Sequence, residues 1–429
     1  MSRKSAAQPA EPQATVEPLP RRNRGGRRPR APIPPIEVEA GHDMPLGMPP
    51  SRFLNQYWQK HPLLIRGALR TWQAPISPDD LAAIACEETA LARIVLRDRK
   101  RETWTLQPGP YRERSFATLP ARDWTLLVQD MDKWDIEVAS LLDFVRFLPT
   151  WRVDDVMVSY AADGGGVGPH IDQYDVFLVQ GMGRRAWSIS TDRHAPRALR
   201  TETELKLLAE FAPTHRFELE TGDVLYLPPD VPHDGEALGE CMTFSIGMRA
   251  PAESELLLDL AEHLAEAMPE TLRYSDGDLR PARAPGLIDN AALDRVRALL
   301  GPFAQRLRAA ELAEWFGRFI TRYRSAAVIS GDVQPRTLEQ IVETLASGRA
   351  LLRHPFARFA WIEHGSDGAT LFAAGQQVHC PRQLAELLCA HARIEAGDAA
   401  LRDGAALTAL RDLLAAGCVQ FARPSRKRA

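Results

Sequence analysis

Three residues of this 429-residue chain have the types and spacing of a metal centre. His170 and Asp172 stand two apart in GGGVGPHIDQYDVFLVQ. In an extended strand such residues point to the same side, here one imidazole beside one carboxylate. His233 closes GDVLYLPPDVPH, where a strand and a proline-rich turn can return a second imidazole to the same place. Two imidazoles and a carboxylate suit non-haem iron(II), occupying one face of an octahedral ion and leaving three positions open. A chelating 2-oxo acid fills two of those positions and molecular oxygen the third. A lone His-x-Asp is common on polar surfaces, and the chain has 11 histidines. What singles out this set is its order: glycine-rich entry, strand, Gly-Asp turn and proline-rich return.

A dicarboxylic co-substrate also needs a cation. In GMGRRAWSIS, alternation puts Arg185, Trp187 and Ile189 on one face, and Arg184 and Ala186 on the other. An inward arginine beside a tryptophan can grip a carboxylate through two hydrogen bonds. Phase alone does not decide which face looks inward. Asp163, just before the glycine-rich turn, is placed to meet a cationic substrate side chain. Tyr160, Gln173 and Tyr174 are candidates to line or brace a pocket, and Ser245 offers a hydroxyl. Glycines 164–166 and 168 permit close approach of the backbone but lack the GK[ST] ending of a phosphate loop.

The elements that must position these groups are mostly strands. VDDVMVSYA, HIDQYDVFLVQ, RRAWSIS, HRFELETGDVLYLP and CMTFSIGMR are short, aromatic or β-branched, and separated by turn residues. With no βαβ rhythm through 151–248, they predict an all-β double-sheet barrel. Before it, SRFLNQYWQK and residues 78–90 predict short helices. LARIVLR, ETWTLQPG and WTLLVQDM predict strands, and DIEVASLLDFVRFL one amphipathic helix. Residues 1–44 form a proline-rich tail with the run RRNRGGRRPR at 21–30; they are expected to be disordered, with order beginning near Pro49. Residues 45–250 make up the catalytic region, 251–330 a helical module placed to pack on the barrel or a second subunit, and 331–423 a small winged-helix-like domain. The fold class is therefore α+β.

Composition narrows the function classes. Hydrophobic residues make up 45% and charged residues 25%, as in an ordinary globular protein. A net charge of -3 carries no global signature of nucleic-acid binding. Cys86, Cys241, Cys380, Cys389 and Cys418 form no CxxC pair, which argues against a disulfide framework or a thiolate zinc site. The opening MSRKSAAQPAEPQ lacks an apolar segment, and no stretch approaches a membrane span; a cytoplasmic protein is expected.

Together, FLNQYWQKHPLLIRGA, WTLLVQDMDKW, WRVDDVMVSYA, GGGVGPHIDQYDVFLVQGMGRRAW and GDVLYLPPDVPHDGEAL resemble the bacterial ribosomal oxygenases. These are JmjC-type cupin enzymes that hydroxylate an arginine of large-subunit ribosomal protein 16. The resemblance is dense through the barrel and looser after residue 250. It implies a double-stranded β-helix, or jelly roll, that uses Fe(II), 2-oxoglutarate and molecular oxygen. It maps the iron ligands onto His170, Asp172 and His233, and the oxoglutarate-binding arginine onto Arg185. It also implies a homodimer through the helical middle region, and hydroxylation at the arginine β-carbon with release of succinate and carbon dioxide. A histidine hydroxylase acting on another ribosomal protein would keep the iron chemistry and change the substrate pocket. A cupin adaptor that binds ribosomes without catalysis would form no succinate.

Overall fold

Apolar residues on alternate positions become strands between residues 37 and 248. The computed structural model describes residues 33–266, 268–269, 271, 273–277, 290–305, 309–322, 329 and 336–423. Of the tail expected to be disordered, residues 1–32, with the arginine run at 21–30, lie outside the described residues, as do residues 424–429. Ten strands make one rolled sheet: β1 Glu37–Glu39, β2 Leu63–Arg66, β3 Ala92–Asp98, β4 Thr103–Pro108, β5 Trp124–Val128, β6 Val153–Ala161, β7 Val176–Ile189, β8 His215–Leu219, β9 Val224–Leu227 and β10 His233–Met248. Their order is β1-β2-β9-β7-β10-β6-β5-β3-β4, with β8 beside β7.

The long strands β7 and β10 close the roll. The first part of β7 pairs with β9 and its last part with β8, while β10 pairs with β7 along both parts. The two strands expected over HIDQYDVFLVQ and RRAWSIS are thus one strand, and its bend lies at the glycines between them. At Gly183, φ is +64° and a Cβ would come within 2.1 Å of the Glu240 carbonyl, so only glycine fits the bend. The strand also starts later than expected, at Val176, leaving His170–Asp175 as an irregular lead-in.

Two other expectations are corrected. Order begins before Pro49: β1 pairs in parallel with β2, and Leu46 and Met48 are buried. The segment DIEVASLLDFVRFL is not one α-helix but a four-residue helix, Ile136–Ala139, followed by a 3-10 turn, Ser140–Val145. Its buried residues Val138, Leu141 and Phe144 recur every three positions, the period of that tighter turn.

The short helices α1 Pro50–Gln56, α2 Pro78–Ile84, α3 Glu113–Phe116, α4 Met131–Trp134 and α5 Ile136–Ala139 accompany the barrel. Phe53 of α1 sits in an aromatic cluster with Tyr57, Phe177 and Tyr226. This cluster also holds the lead-in to β7. The Tyr226 hydroxyl donates to buried Asp175 (2.6 Å) and accepts from the Gln59 backbone N–H (2.8 Å). The Gln59 side chain donates to the other Asp175 oxygen at 3.0 Å.

Beyond the barrel lie α6 Glu253–Glu266, α7 Asn290–Gln305 and α8 Ala309–Arg322. The C-terminal part comprises α9 Leu338–Ala346, β11 Leu351–Arg353, β12 Phe359–His364, β13 Gly368–Ala373, β14 Gln376–Pro381, α10 Arg382–Ala390, β15 Arg393–Ile394, α11 Gly404–Ala415 and β16 Val419–Phe421. Its strands form two three-stranded antiparallel sheets, β15-β11-β16 and β12-β13-β14. Helix α8 packs on β12 through Trp315, Phe319, Ile320 and Ala360, and Trp151 of the barrel meets Phe316 edge-on at 5.6 Å.

Replacing Tyr226 by Phe strips a buried carboxylate and a backbone N–H of one partner each. We expect a loss of about 2 kcal/mol of stability in urea unfolding; an unchanged midpoint would show that this network does not hold the lead-in to β7.

Candidate active site

The metal-ligand candidates are set by backbone geometry. Gly168 has φ +86°, and a Cβ there would lie 2.9 Å from the Trp104 ring, so the turn entering the site requires glycine. Its carbonyl accepts a hydrogen bond from His170 Nδ1–H at 2.9 Å. On the opposite segment, His233 Nδ1–H donates to the Val231 carbonyl, also at 2.9 Å. In the neutral ring such a bond puts the proton on Nδ1 and leaves the Nε2 lone pair free, the form a metal needs. The backbones of the two histidines also exchange hydrogen bonds, N–H to carbonyl in each direction at 3.0 Å, and hold the rings 4.2 Å apart.

Asp172 completes the set. Its Oδ2 lies 3.7 Å from His233 Nε2, and the donor atoms of His170, Asp172 and His233 all lie within 4.8 Å of one another. One hard oxygen and two neutral nitrogens fit Fe(II). Burial, reinforced by the neighbouring His170, lowers the His233 pKa to about 4 against the pull of Asp172. The imidazole is therefore neutral near pH 7. The Tyr174 phenol, beside Asp172, is held above its ordinary range by burial and by that carboxylate.

The three groups open on a cavity of about 530 Å³ inside the barrel. Arg185 lies in its wall and is 3% exposed, whereas Arg184 faces outward and pairs with Glu218. The inward face of β7 is thus the one bearing Arg185 and Trp187. Arg185 donates to Ser159 Oγ (3.3 Å), Thr243 Oγ1 (3.2 Å) and the Gly235 carbonyl (3.2 Å), and lies over the Trp187 ring. Its Nε makes no hydrogen bond, and among the described residues no carboxylate pairs with it. A buried guanidinium held only by neutral groups is suited to an anion entering the cavity.

The expected substrate contacts are elsewhere. Asp163 is half exposed, pairs with Arg122 at 3.1 Å and accepts from the Gly239 N–H at 2.9 Å. Tyr160 stacks at a tilt against Trp124. Neither lines the cavity, nor does Gln173, which donates to Asp230; Tyr174 and Ser245 do line it.

The acidic wall is formed instead by Asp130, Asp154 and Asp155. Lys133 bridges Asp130 and Asp132, both at 2.9 Å, and Asp154 meets Arg358 at 2.7 Å and Arg249 at 3.4 Å. Asp155 accepts a backbone N–H from Asp130 at 2.9 Å but makes no ion pair among the described residues. Burial raises its carboxyl to about 7, against the opposing effect of Lys133. Strand alternation carried a signal for this wall: Asp155, Met157 and Ser159 share one face of β6, as do Thr243 and Ser245 on β10.

Sequence and structure comparisons agree with this architecture. Residues 140–256 match the JmjC domain family, and residues 304–420 match the ROXA-like winged helix. The chain is 33% identical over 335 residues to the ribosomal protein uL16 3-hydroxylase of Escherichia coli, covering 77% of this chain and 86% of that protein. It belongs to the ribosomal oxygenase family. The solved structure of the E. coli ribosomal oxygenase YcfD superposes with a TM-score of 0.72 at 32% identity, covering 87% of this chain and 98% of the other. The same ribosomal oxygenase in complex with cobalt and 2-oxoglutarate superposes equally well, at 0.72 and 32% identity over 86% of this chain and 97% of that one. The fold is accordingly a JmjC-type cupin jelly roll followed by a ROXA-like winged helix.

His233 makes a signed prediction for the metal-free protein. Unfolded, it takes up a proton near pH 6.5; folded, only near about 4, so stability falls as pH drops through that window. From pH 7 to pH 5, wild type should lose about 2 kcal/mol more than His233→Gln in parallel urea titrations. Equal losses would remove the buried neutral imidazole as the cause.

Proposed function

We propose that this chain is an Fe(II)- and 2-oxoglutarate-dependent hydroxylase that adds oxygen to the β-carbon of an arginine in large-subunit ribosomal protein 16. The observation that carries this reading is a single cavity containing the His170–Asp172–His233 donor set, a buried arginine without a carboxylate and a carboxylate without a cation. His170, Asp172 and His233 hold the iron, which supplies the activation of molecular oxygen. Arg185, steadied by Ser159 and Thr243, receives the far carboxylate of 2-oxoglutarate. Trp187 covers the guanidinium and keeps water from it.

At the acidic wall, Asp155 receives the substrate guanidinium, whose charge returns the carboxyl to its ionised form. Ser245, nearby on β10, offers a hydroxyl to the same side chain. Tyr174 and Met157 supply the flanks along which the arginine's methylenes lie. Binding at the guanidinium therefore fixes which carbon faces the iron.

We place the enzyme in the cytoplasm, where ribosomal proteins are made; among the described residues no helix is long and apolar enough to cross a membrane. An arginine exposed on free protein is easier to admit than one packed against RNA, so action precedes or accompanies ribosome assembly. We assign residues 45–250 to the catalytic domain, 251–330 to dimerisation and 331–423 to the winged-helix-like domain. Leu257 and Leu258 on α6, 67% and 72% exposed, form part of an apolar surface that suits a second copy of the chain. We assign no direct role in nucleic-acid binding.

The test is mass spectrometry of ribosomal protein 16 incubated with the protein, Fe(II) and 2-oxoglutarate in air. A gain of one oxygen on a single arginine is expected, and none with Asp172→Ala. Succinate formation without modification of verified unmodified protein would redirect the search to another substrate; no succinate at all would overturn the oxygenase reading.

A further inference from the structure

The cavity is not built by the barrel alone. Arg358, the residue immediately before β12 in the C-terminal part, lies in its wall and reaches Asp154 Oδ1 at 2.7 Å. The same oxygen lies 3.4 Å from Arg249 Nε. Arg249 is 3% exposed, and its remaining nitrogens donate to the carbonyls of Trp151 (3.0 Å), Ile320 (2.9 Å) and Val153 (2.6 Å). It therefore joins the end of α8 to the barrel and is the more distant of Asp154's two cations. Arg358 supplies the close pair.

Asp154 and Asp155 are adjacent, and both belong to the cavity wall. A wall with two uncompensated carboxylates would offer a guanidinium two places to bind, and each negative charge would discourage ionisation of the other. Arg358, as the nearer of the two cations on Asp154, opposes both effects through a partly buried ion pair.

We propose that Arg358 is a specificity-determining positioning residue: by pairing with Asp154, it leaves Asp155 as the one carboxylate free to receive a cationic side chain. The winged helix thereby takes part in choosing the substrate and in setting the register of its reacting carbon. The inference rests on the reading of Asp155 as the guanidinium acceptor.

The full-length protein, its Arg358→Gln, Asp155→Asn and Arg358→Gln/Asp154→Asn variants are compared on a ribosomal protein 16 peptide. For each, the peptide KM and the ratio of hydroxylated peptide to succinate are measured. Arg358→Gln should raise the peptide KM about fivefold and lower the product-to-succinate ratio about threefold, because a guanidinium held by Asp154 presents the wrong carbon. The KM for 2-oxoglutarate, set at Arg185, should move less than twofold. Adding Asp154→Asn removes the competing carboxylate and should restore the ratio, a rescue that general loss of structure would not show. An unchanged KM and ratio in Arg358→Gln, or a double variant no better than the single, overturns the inference. If Asp155→Asn raises the peptide KM in that case, the reading of Asp155 stands; if Asp155→Asn is also without effect, that reading falls as well.

Discussion

The site depends on one small piece of antiparallel pairing, the two hydrogen bonds exchanged by the backbones of His170 and His233. These residues are 63 positions apart, with β7, β8 and β9 between them. Once it forms, each ring is oriented by its own nearby carbonyl, from Gly168 or Val231, and the two bare nitrogens face a common point. The sheet supplies the rigidity: His233 opens β10, which pairs with Ile189 of β7 at this end and with Val176 of β7 at the other. Asp172 joins the imidazoles from the short irregular lead-in, itself held at Asp175 by Tyr226 and Gln59.

Charge is distributed through the cavity with the same economy. Arg185 is buried among neutral acceptors and Asp155 among cations already committed to other carboxylates. In a low-dielectric cavity, an unpaired charge is costly, and a ligand of opposite sign relieves that cost. The two unpaired groups thus suit a carboxylate and a cation from two different ligands, with the His170–Asp172–His233 set in the same cavity. On the proposed reading, both reactants are held by their remote ends and the reacting atoms are left free.

Much of this was legible in the chain. The donor set could be named because its residue types are chemically restrictive, and the barrel because alternation persists through its strands. His170 and Asp172 do come together, but not on one face of a strand: they precede β7 rather than lie within it. Phase did not choose between Arg184 and Arg185, because alternation divides the faces without saying which one is buried. Asp163 was attractive through its nearness in sequence to the glycine turn, yet it points to Arg122 at the surface. Asp155 was hidden in the pair Asp154–Asp155, whose roles differ only through which face of β6 each occupies and which cation reaches it. Arg358 gave no local signal, for it lies 204 positions from its partner in a part of the chain with a separate core.

The central claim is that His170, Asp172 and His233 bind one iron(II) ion beside the pocket for 2-oxoglutarate. Anaerobic titration of Fe(II) into the metal-free protein, followed by 2-oxoglutarate, tests it directly through binding heat and the visible charge-transfer absorption of the chelated complex. One ion per chain and a band that depends on the oxo acid are expected for wild type, with both lost in Asp172→Ala and His233→Ala. Undiminished binding and absorption in those two variants would contradict the account.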